Sequence, residues 1–148
     1  MIGAGKSGGI GETAGFALAK ACKVHRASVG AALQEVGLHV GQEMVLLELW
    51  EEDGLKGGEL VERLGVEPPT ISRMLGRMET RGLLERRRDP EDARSFRVYL
   101  TEGGRDLRGP VEDLWRRIED RAFGGMSEEE KTLFKGLLSR VRENLGAV

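Results

Sequence analysis

The chain has 148 residues, 39% of them hydrophobic and 32% charged, with a formal net charge of -2, a composition that supports one folded domain and excludes a disordered one. No apolar run approaches the roughly 20 residues of a membrane span, since Met44-Val45-Leu46-Leu47 is stopped by Glu48, so no membrane association is expected. The start, Met1-Ile2-Gly3-Ala4-Gly5-Lys6, lacks a signal-peptide pattern, and the single cysteine, Cys22, has no partner within the chain, which together predict the cytoplasm.

Residues 1–11 are rich in glycine and read as a mobile tail. A long helix is predicted over 13–36, where Leu18, Cys22, His25, Val29, Leu33 and Val36 recur at steps of three and four and make one apolar stripe. Gly37 ends it. A second helix is predicted over 41–52, with Val40, Met44, Leu47 and Trp50 on its apolar face, and Asp53-Gly54 breaks the chain after it. A short helix over 58–64 follows, then a three-residue turn, Gly65-Val66-Glu67, with Gly65 suited to a left-handed cap. Pro68-Pro69 opens the next helix, where proline is tolerated because the first N–H groups have no helical partner. That helix runs to about Arg81, and Gly82 closes it.

Two strand-like segments come next. Leu83-Leu84-Glu85-Arg86-Arg87 is the first. In the second, Phe96, Val98 and Leu100 alternate with Arg97 and Tyr99, the pattern of a half-buried strand. Between them, residues 88–94 form a polar hairpin tip containing Pro90. Thr101 is placed to cap a fifth helix with the stripe Leu107, Val111, Leu114 and Ile118, broken at Gly124-Gly125. Ser127 and Glu130 form a capping box for the last helix, whose stripe is Leu133, Leu137, Val141 and Leu145.

Two helices joined by a tight turn and followed by a hairpin have the order of a winged helix-turn-helix. In the helix that begins at Pro68, Ile71, Met74, Leu75 and Met78 are predicted to pack inward. Thr70, Arg73 and Arg77 share the opposite face, with Ser72 beside it. Hydroxyls and guanidinium forks with little bulk suit a major groove, where arginine pairs with N7 and O6 of guanine. On the hairpin tip, Arg94 is placed to enter a minor groove, where the negative potential is deepest. Asp92 cannot favour DNA by itself; its expected role is to pair with Arg86 or Arg88 and hold the wing's shape.

Charge placement agrees with this. Residues 63–108 hold 11 arginines and no lysine against 8 acidic residues, a surplus of three positive charges; the remaining 12 basic and 17 acidic residues carry -5. A local basic zone on an acidic body is what a DNA-reading surface needs.

Other signals carry less. Gly3-Ala4-Gly5-Lys6-Ser7 matches only the end of a phosphate-binding loop; the first glycine of that motif and the buried strand before it are missing. Cys22 and His25 lie three apart on an apolar stripe, and with His39 they are too few for a zinc site, so no metal or other cofactor is expected; Cys22 stays open as a redox sensor. Trp50, Trp115 and Phe123 read as core or interface aromatics, with a ligand pocket as the alternative. No nucleophile–base or paired-carboxylate arrangement stands out, and no enzymatic activity is expected.

The stretch from Glu59 to Arg73, including Gly65-Val66-Glu67-Pro68-Pro69-Thr70-Ile71-Ser72-Arg73, resembles the helix-turn-helix of the MarR family of bacterial regulators. Arg81-Gly82-Leu83-Leu84-Glu85-Arg86 resembles that family's "GLVER" strand, and Asp89-Pro90-Glu91-Asp92-Ala93-Arg94-Ser95 its wing. Leu100-Thr101-Glu102-Gly103-Gly104-Arg105 is similar to its "LTExGR" helix entry, and Gly37-Leu38 with Gln42 to the approach to its second helix. The tight match runs over 37–107.

The resemblance implies a mainly α (α+β) fold, a winged helix-turn-helix with a long N-terminal helix and two C-terminal helices that form a dimerisation region. One domain would span 1–148, with dimerisation helices at 12–36 and 102–147 and a DNA-binding lobe at 40–101. It implies a homodimer on a pseudo-palindromic double-stranded DNA operator. Thr70, Ser72, Arg73 and Arg77 would lie on the reading helix and Arg94 in the minor groove. An effector pocket would lie between the dimer helices and the lobe, with Cys22, His25, Trp50 and Trp115 as its candidate residues. The function implied is a transcriptional repressor relieved by a small phenolic or similar ligand. Glu67 departs from the pattern, because many members have a good capping residue there. Two rivals stay open: an enzyme using the N-terminal Gly-Lys-Ser segment, and a winged helix that contacts only protein.

Overall fold

The structure, a computed structural model, describes residues 8–146. The Gly3-to-Ser7 segment and most of the expected tail lie outside the described residues. At the end of that expected tail, Ile10–Glu12 form a 3-10 turn. Thr13 then caps α1 (Ala14–Gln34), its hydroxyl accepting from the Phe16 N–H at 3.1 Å. α1 ends as expected at Gly37, whose φ of 74° lets the Leu38 N–H return to the Leu33 carbonyl.

The remaining elements are α2 (Gln42–Glu51), β1 (Leu55–Lys56), α3 (Gly57–Leu64), α4 (Pro68–Thr80), β2 (Leu84–Arg88), β3 (Phe96–Leu100), α5 (Glu102–Asp106), α6 (Arg108–Ala122) and α7 (Glu128–Asn144). The strands form one antiparallel sheet in the order β1-β3-β2. No helix among the described residues is long and apolar enough to cross a membrane. The chain divides into two compact units between Trp115 and Arg116. In the first, the core joins Val29 and Leu33 of α1, Val45, Leu46 and Leu49 of α2, Leu60 of α3, Ile71, Leu75 and Met78 of α4, and Val98 of β3. In the second, Phe123 and Phe134 meet with ring centroids 5.5 Å apart, and Ser127 and Glu130 make the expected capping box.

Four expectations are corrected. The buried face of α2 is Gln42, Val45, Leu46 and Leu49; Met44, expected inside, is 42% exposed. Residues 44–47 are apolar without a break, so spacing alone does not choose a face. The choice is made by Gln42 and Glu43, which turn in to accept the N–H groups of His39 and Gly41 at 3.0 and 2.8 Å. The fifth helix is two helices, α5 and α6, parted at Leu107. Pro110 has no N–H to give to Asp106, and its ring would crowd that carbonyl in a continuous helix. Leu55-Lys56, read only as following a break, is a strand, with Leu55 opposite Val98 and Lys56 opposite Arg97. Cys22 and His25, placed on the apolar stripe of the first helix, are both exposed in the single chain.

Candidate nucleic-acid interface

The helix-turn-helix follows from its local chemistry. The Lys56 N–H at the start of α3 is taken by Glu59 at 3.2 Å. Gly65 ends α3 at φ 63°, a left-handed conformation natural to glycine, and its N–H returns to the Val61 carbonyl at 2.9 Å. α4 opens on Pro68-Pro69, and the Glu67 side chain makes no cap bond, as its length leads one to expect. The Glu67 carbonyl instead accepts the N–H groups of Thr70 and Ile71.

α4 has two faces. Ile71, Leu75 and Met78 are buried, while Ser72, Arg73 and Arg77 are exposed with Thr70 at the margin. The four residues assigned to base reading thus share the outer surface. Beside them a cleft of about 270 Å³ opens toward His39 and Gln42 at the start of α2, lined on the other side by Thr70, Arg73 and Arg77. α4 is closed by Gly82 at φ 74°, with the Leu83 N–H returning to the Met78 carbonyl at 3.1 Å.

The wing is a hairpin whose ladder runs from the Leu84–Leu100 pair to the Arg88–Phe96 pair. Its tip closes through the Asp89 N–H and the Ser95 carbonyl at 3.0 Å. Arg94 is exposed there, as expected. Arg88, Ala93 and Arg94 line a shallow cleft of about 300 Å³ with Phe96.

Asp92 does not act as the expected ion-pair strut. Its carboxylate accepts the Arg94 backbone N–H at 3.0 Å, and its carbonyl accepts the Ser95 N–H at 3.1 Å. A side chain this short reaches the N–H two residues on more easily than a strand across the hairpin. Arg86 is engaged elsewhere: its backbone N–H goes to Glu79 at 2.8 Å, and its Nε lies 3.5 Å from the same carboxylate oxygen.

The residue that fastens the wing is Asp89, which sequence reasoning missed. Its side chain is only 1% exposed, with Lys56 Nζ at 3.7 Å and Arg97 Nε at 3.6 Å. It accepts the Glu91 N–H at 3.1 Å and the Ser95 hydroxyl at 3.4 Å. The Glu91 N–H, then Arg97 and Lys56, hold the Asp89 carboxyl below its ordinary range, against an opposing push from burial. Asp89-Pro90 was legible as a turn opening. Its burial was not, because Lys56 arrives from the unrecognised β1.

The four residues assigned to an effector pocket have the following surroundings in the single chain. His25 meets Trp115 edge-on with centroids 6.0 Å apart. The Trp50 indole N–H is bonded to the Gly104 carbonyl at 2.9 Å, and Cys22 is exposed on α1.

The profile of the MarR family matches residues 38–96, which run from the approach to α2 to the first residue of β3. The HTH-type transcriptional regulator TtmR of Methylorubrum extorquens (strain PA1) is 35% identical over 106 residues, covering 72% of this chain and 53% of its own. The transcriptional regulator HosA of Escherichia coli O111:H- is 30% identical over 68% of this chain and 74% of its own. The chain belongs to the MarR family. Among solved MarR-like folds, BpsR of Bordetella bronchiseptica superposes with a TM-score of 0.83 at 25% identity, covering 90% of this chain and 96% of its own. The fold is accordingly the winged helix-turn-helix of MarR proteins, and the relatives named for their activity are transcriptional regulators. All five residues assigned to DNA lie inside the MarR-matched segment. The matched part spans about half the length of TtmR.

Proposed function

We propose that this chain is a transcriptional repressor that binds a pseudo-palindromic double-stranded DNA operator as a homodimer in the cytoplasm, with no enzymatic activity of its own. α4 lies in the major groove, with Arg73 and Arg77 reading guanine edges and Thr70 and Ser72 holding phosphates or base edges. Arg94 enters the adjacent minor groove. The observation that carries the reading is the division of α4: its apolar residues are buried against the core, and Ser72, Arg73 and Arg77 are left free on one outer face just ahead of a wing that presents Arg94.

The homodimer has its own support. Within α1, Phe16 is 39% and Val24 67% exposed; within α7, Leu133 is 64%, Leu137 46% and Val141 38% exposed. Apolar helix faces left uncovered in one chain fit burial against a second copy. Two reading helices then meet half-sites about one helical turn, roughly 10 bp, apart.

The repressor is relieved by a small aromatic acid or phenol. BpsR, whose DNA binding is regulated by 6-hydroxynicotinic acid, supports this class. Such a ligand acts by favouring one spacing of the two heads. The exposure of Cys22 favours a second reading, in which oxidation of this thiol supplies the signal.

Selection from a randomised duplex library tests the function directly. The full chain is expected to enrich a palindromic motif, with binding that weakens steeply as salt rises. Retention of bulk library without any motif would sink the reading. Titration of the selected duplex with hydroxylated aromatic acids, and separately with peroxide using wild type and Cys22→Ser, decides between the two signals.

A further inference from the structure

The wing and α4 are tied together at one residue. Glu79 is the second residue after Arg77 on α4 and the last but one of that helix. One of its carboxylate oxygens accepts the Arg86 backbone N–H at 2.8 Å and lies 3.5 Å from the Arg86 Nε. β2 is an edge of the sheet, so N–H groups on its outer side have no strand partner; α4 supplies one through Glu79. The Arg86 guanidinium then extends over the Phe96 ring, 5.7 Å from its centroid. Phe96 faces Arg88 across the last rung of the ladder, where the wing begins.

The outer end of the Phe96 ring is held as well. It lies so close to Gly57, the first residue of α3, that a Cβ there would stand 2.5 Å from the ring. A connected path therefore runs from α4 through Glu79, Arg86 and Phe96 to α3, and the wing grows from its middle. The Arg86 N–H, ahead of the guanidinium, holds the Glu79 carboxyl below its ordinary range, so the anion that makes this tie persists through neutral pH.

We propose that Glu79 is a positioning residue for DNA reading: by holding Arg86, it sets where Arg94 falls relative to Arg73 and Arg77, and so fixes the base-pair distance between minor-groove and major-groove contacts. This rests on the DNA-reading function proposed above. Glu79 touches no base. Its effect is on register, because a wing free to swing spreads Arg94 over several steps and dilutes its preference at each one.

The test uses the full chain and the duplex that wild type selects from a randomised library. Affinities are measured for that duplex, for versions with A·T pairs in the wing-contacted flank changed to G·C, and for versions with the central guanines changed. The proteins are wild type, Glu79→Gln, Glu79→Ala, Arg94→Ala and the Glu79→Ala/Arg94→Ala double variant. Wild type is expected to lose about tenfold on the flank change. Glu79→Ala is expected to lose less than about twofold there, while its discrimination at the central guanines stays that of wild type. Glu79→Gln keeps an acceptor for the Arg86 N–H without the ion pair, and its flank preference falls between the two. Adding Glu79→Ala to Arg94→Ala changes flank preference no further.

Flank preference retained in Glu79→Ala overturns the proposal. So does an equal loss at flank and centre, or additivity in the double variant, since a residue that only stabilises the fold would act in those ways. If Arg94→Ala keeps the wild-type flank preference, the wing reading itself falls, and the role of Glu79 falls with it. If Arg94→Ala loses that preference and Glu79→Ala does not, only the role of Glu79 falls.

Discussion

Trp50 and Gly104 meet through a single hydrogen bond, the indole Nε1 donating to the glycine carbonyl at 2.9 Å across 54 residues of sequence. The bond joins the end of α2 to α5. Gly104 also sits close against the residue before β2, and a Cβ on it would stand 2.0 Å from the Leu83 carbonyl oxygen. No side-chain rotation relieves a clash with backbone. Gly104→Ala is therefore expected to destabilise the chain by about 2–3 kcal/mol, read as a lowered denaturation midpoint. Gly109→Ala, where a Cβ meets nothing within 4 Å, is the matched control and should leave the midpoint near that of wild type.

Removal of reading residues should separate by groove. Arg73→Ala or Arg77→Ala is expected to relax base preference at the guanines by about 1–3 kcal/mol. Arg94→Ala is expected to weaken binding to every selected duplex, with an effect concentrated in the A·T flank. Affinity measurements on base-substituted duplexes check both. Wild-type affinity in Arg94→Ala would contradict the wing assignment.

Much of this head was legible. Gly65, Pro68-Pro69 and Gly82 each have a backbone requirement that residue type reveals, so the turn and both ends of α4 lay where the sequence put them. The exposed face of α4 was legible because Ile71, Leu75 and Met78 fall on one helical period. What was not legible depends on partners distant in sequence. Asp92 and Asp89 are both acids on one hairpin tip, and what sets Asp89 apart is its surroundings, Lys56 from a two-residue strand and Arg97 from β3. The inner face of α2 was misplaced because capping by Gln42 and Glu43, not periodicity, orients that helix. Pro110 marked the α5–α6 break, but the apolar spacing across it suggested one helix.

Acid stability should depend on two carboxylates shifted in opposite directions. The Glu91 N–H and the flanking cations hold Asp89 below its ordinary range. Its stabilisation is present above the ordinary carboxylate pKa of about 4 and is lost as pH falls through the lower folded value. Burial raises Glu43, partly offset by the hydrogen bonds it accepts from its own N–H and from Gly41. Its contribution is favourable at low pH and is lost as pH rises through the raised value. Melting curves against pH should thus show Asp89→Asn below wild type at neutral pH and nearing it in strong acid. Glu43→Gln should lie above wild type at neutral pH and converge with it in acid. The opposite ordering for either variant would refute its assignment.

The apolar face of α7 gives a test of the dimer. Leu137→Glu places a charge on a surface that is 46% exposed in one chain, so the isolated fold should tolerate it. Sedimentation is expected to show a monomer, and operator affinity should fall with it, because two linked heads gain from effective concentration. A Leu137→Glu protein that sediments like wild type would place the interface elsewhere.

β1 is two residues long, yet it touches β3, α3 and Asp89 of the hairpin. Lys56 reaches Asp89 just past the last rung of the hairpin, and its N–H is taken by Glu59 of α3. Leu55 pairs with Val98, and the Gly54 N–H bonds the Val98 carbonyl. This strip thus ties β3, Asp89 and α3 to one another. Amide hydrogen exchange in α3 and β3 should therefore follow one shared opening event, so that the helix-turn-helix and the wing are lost and regained together.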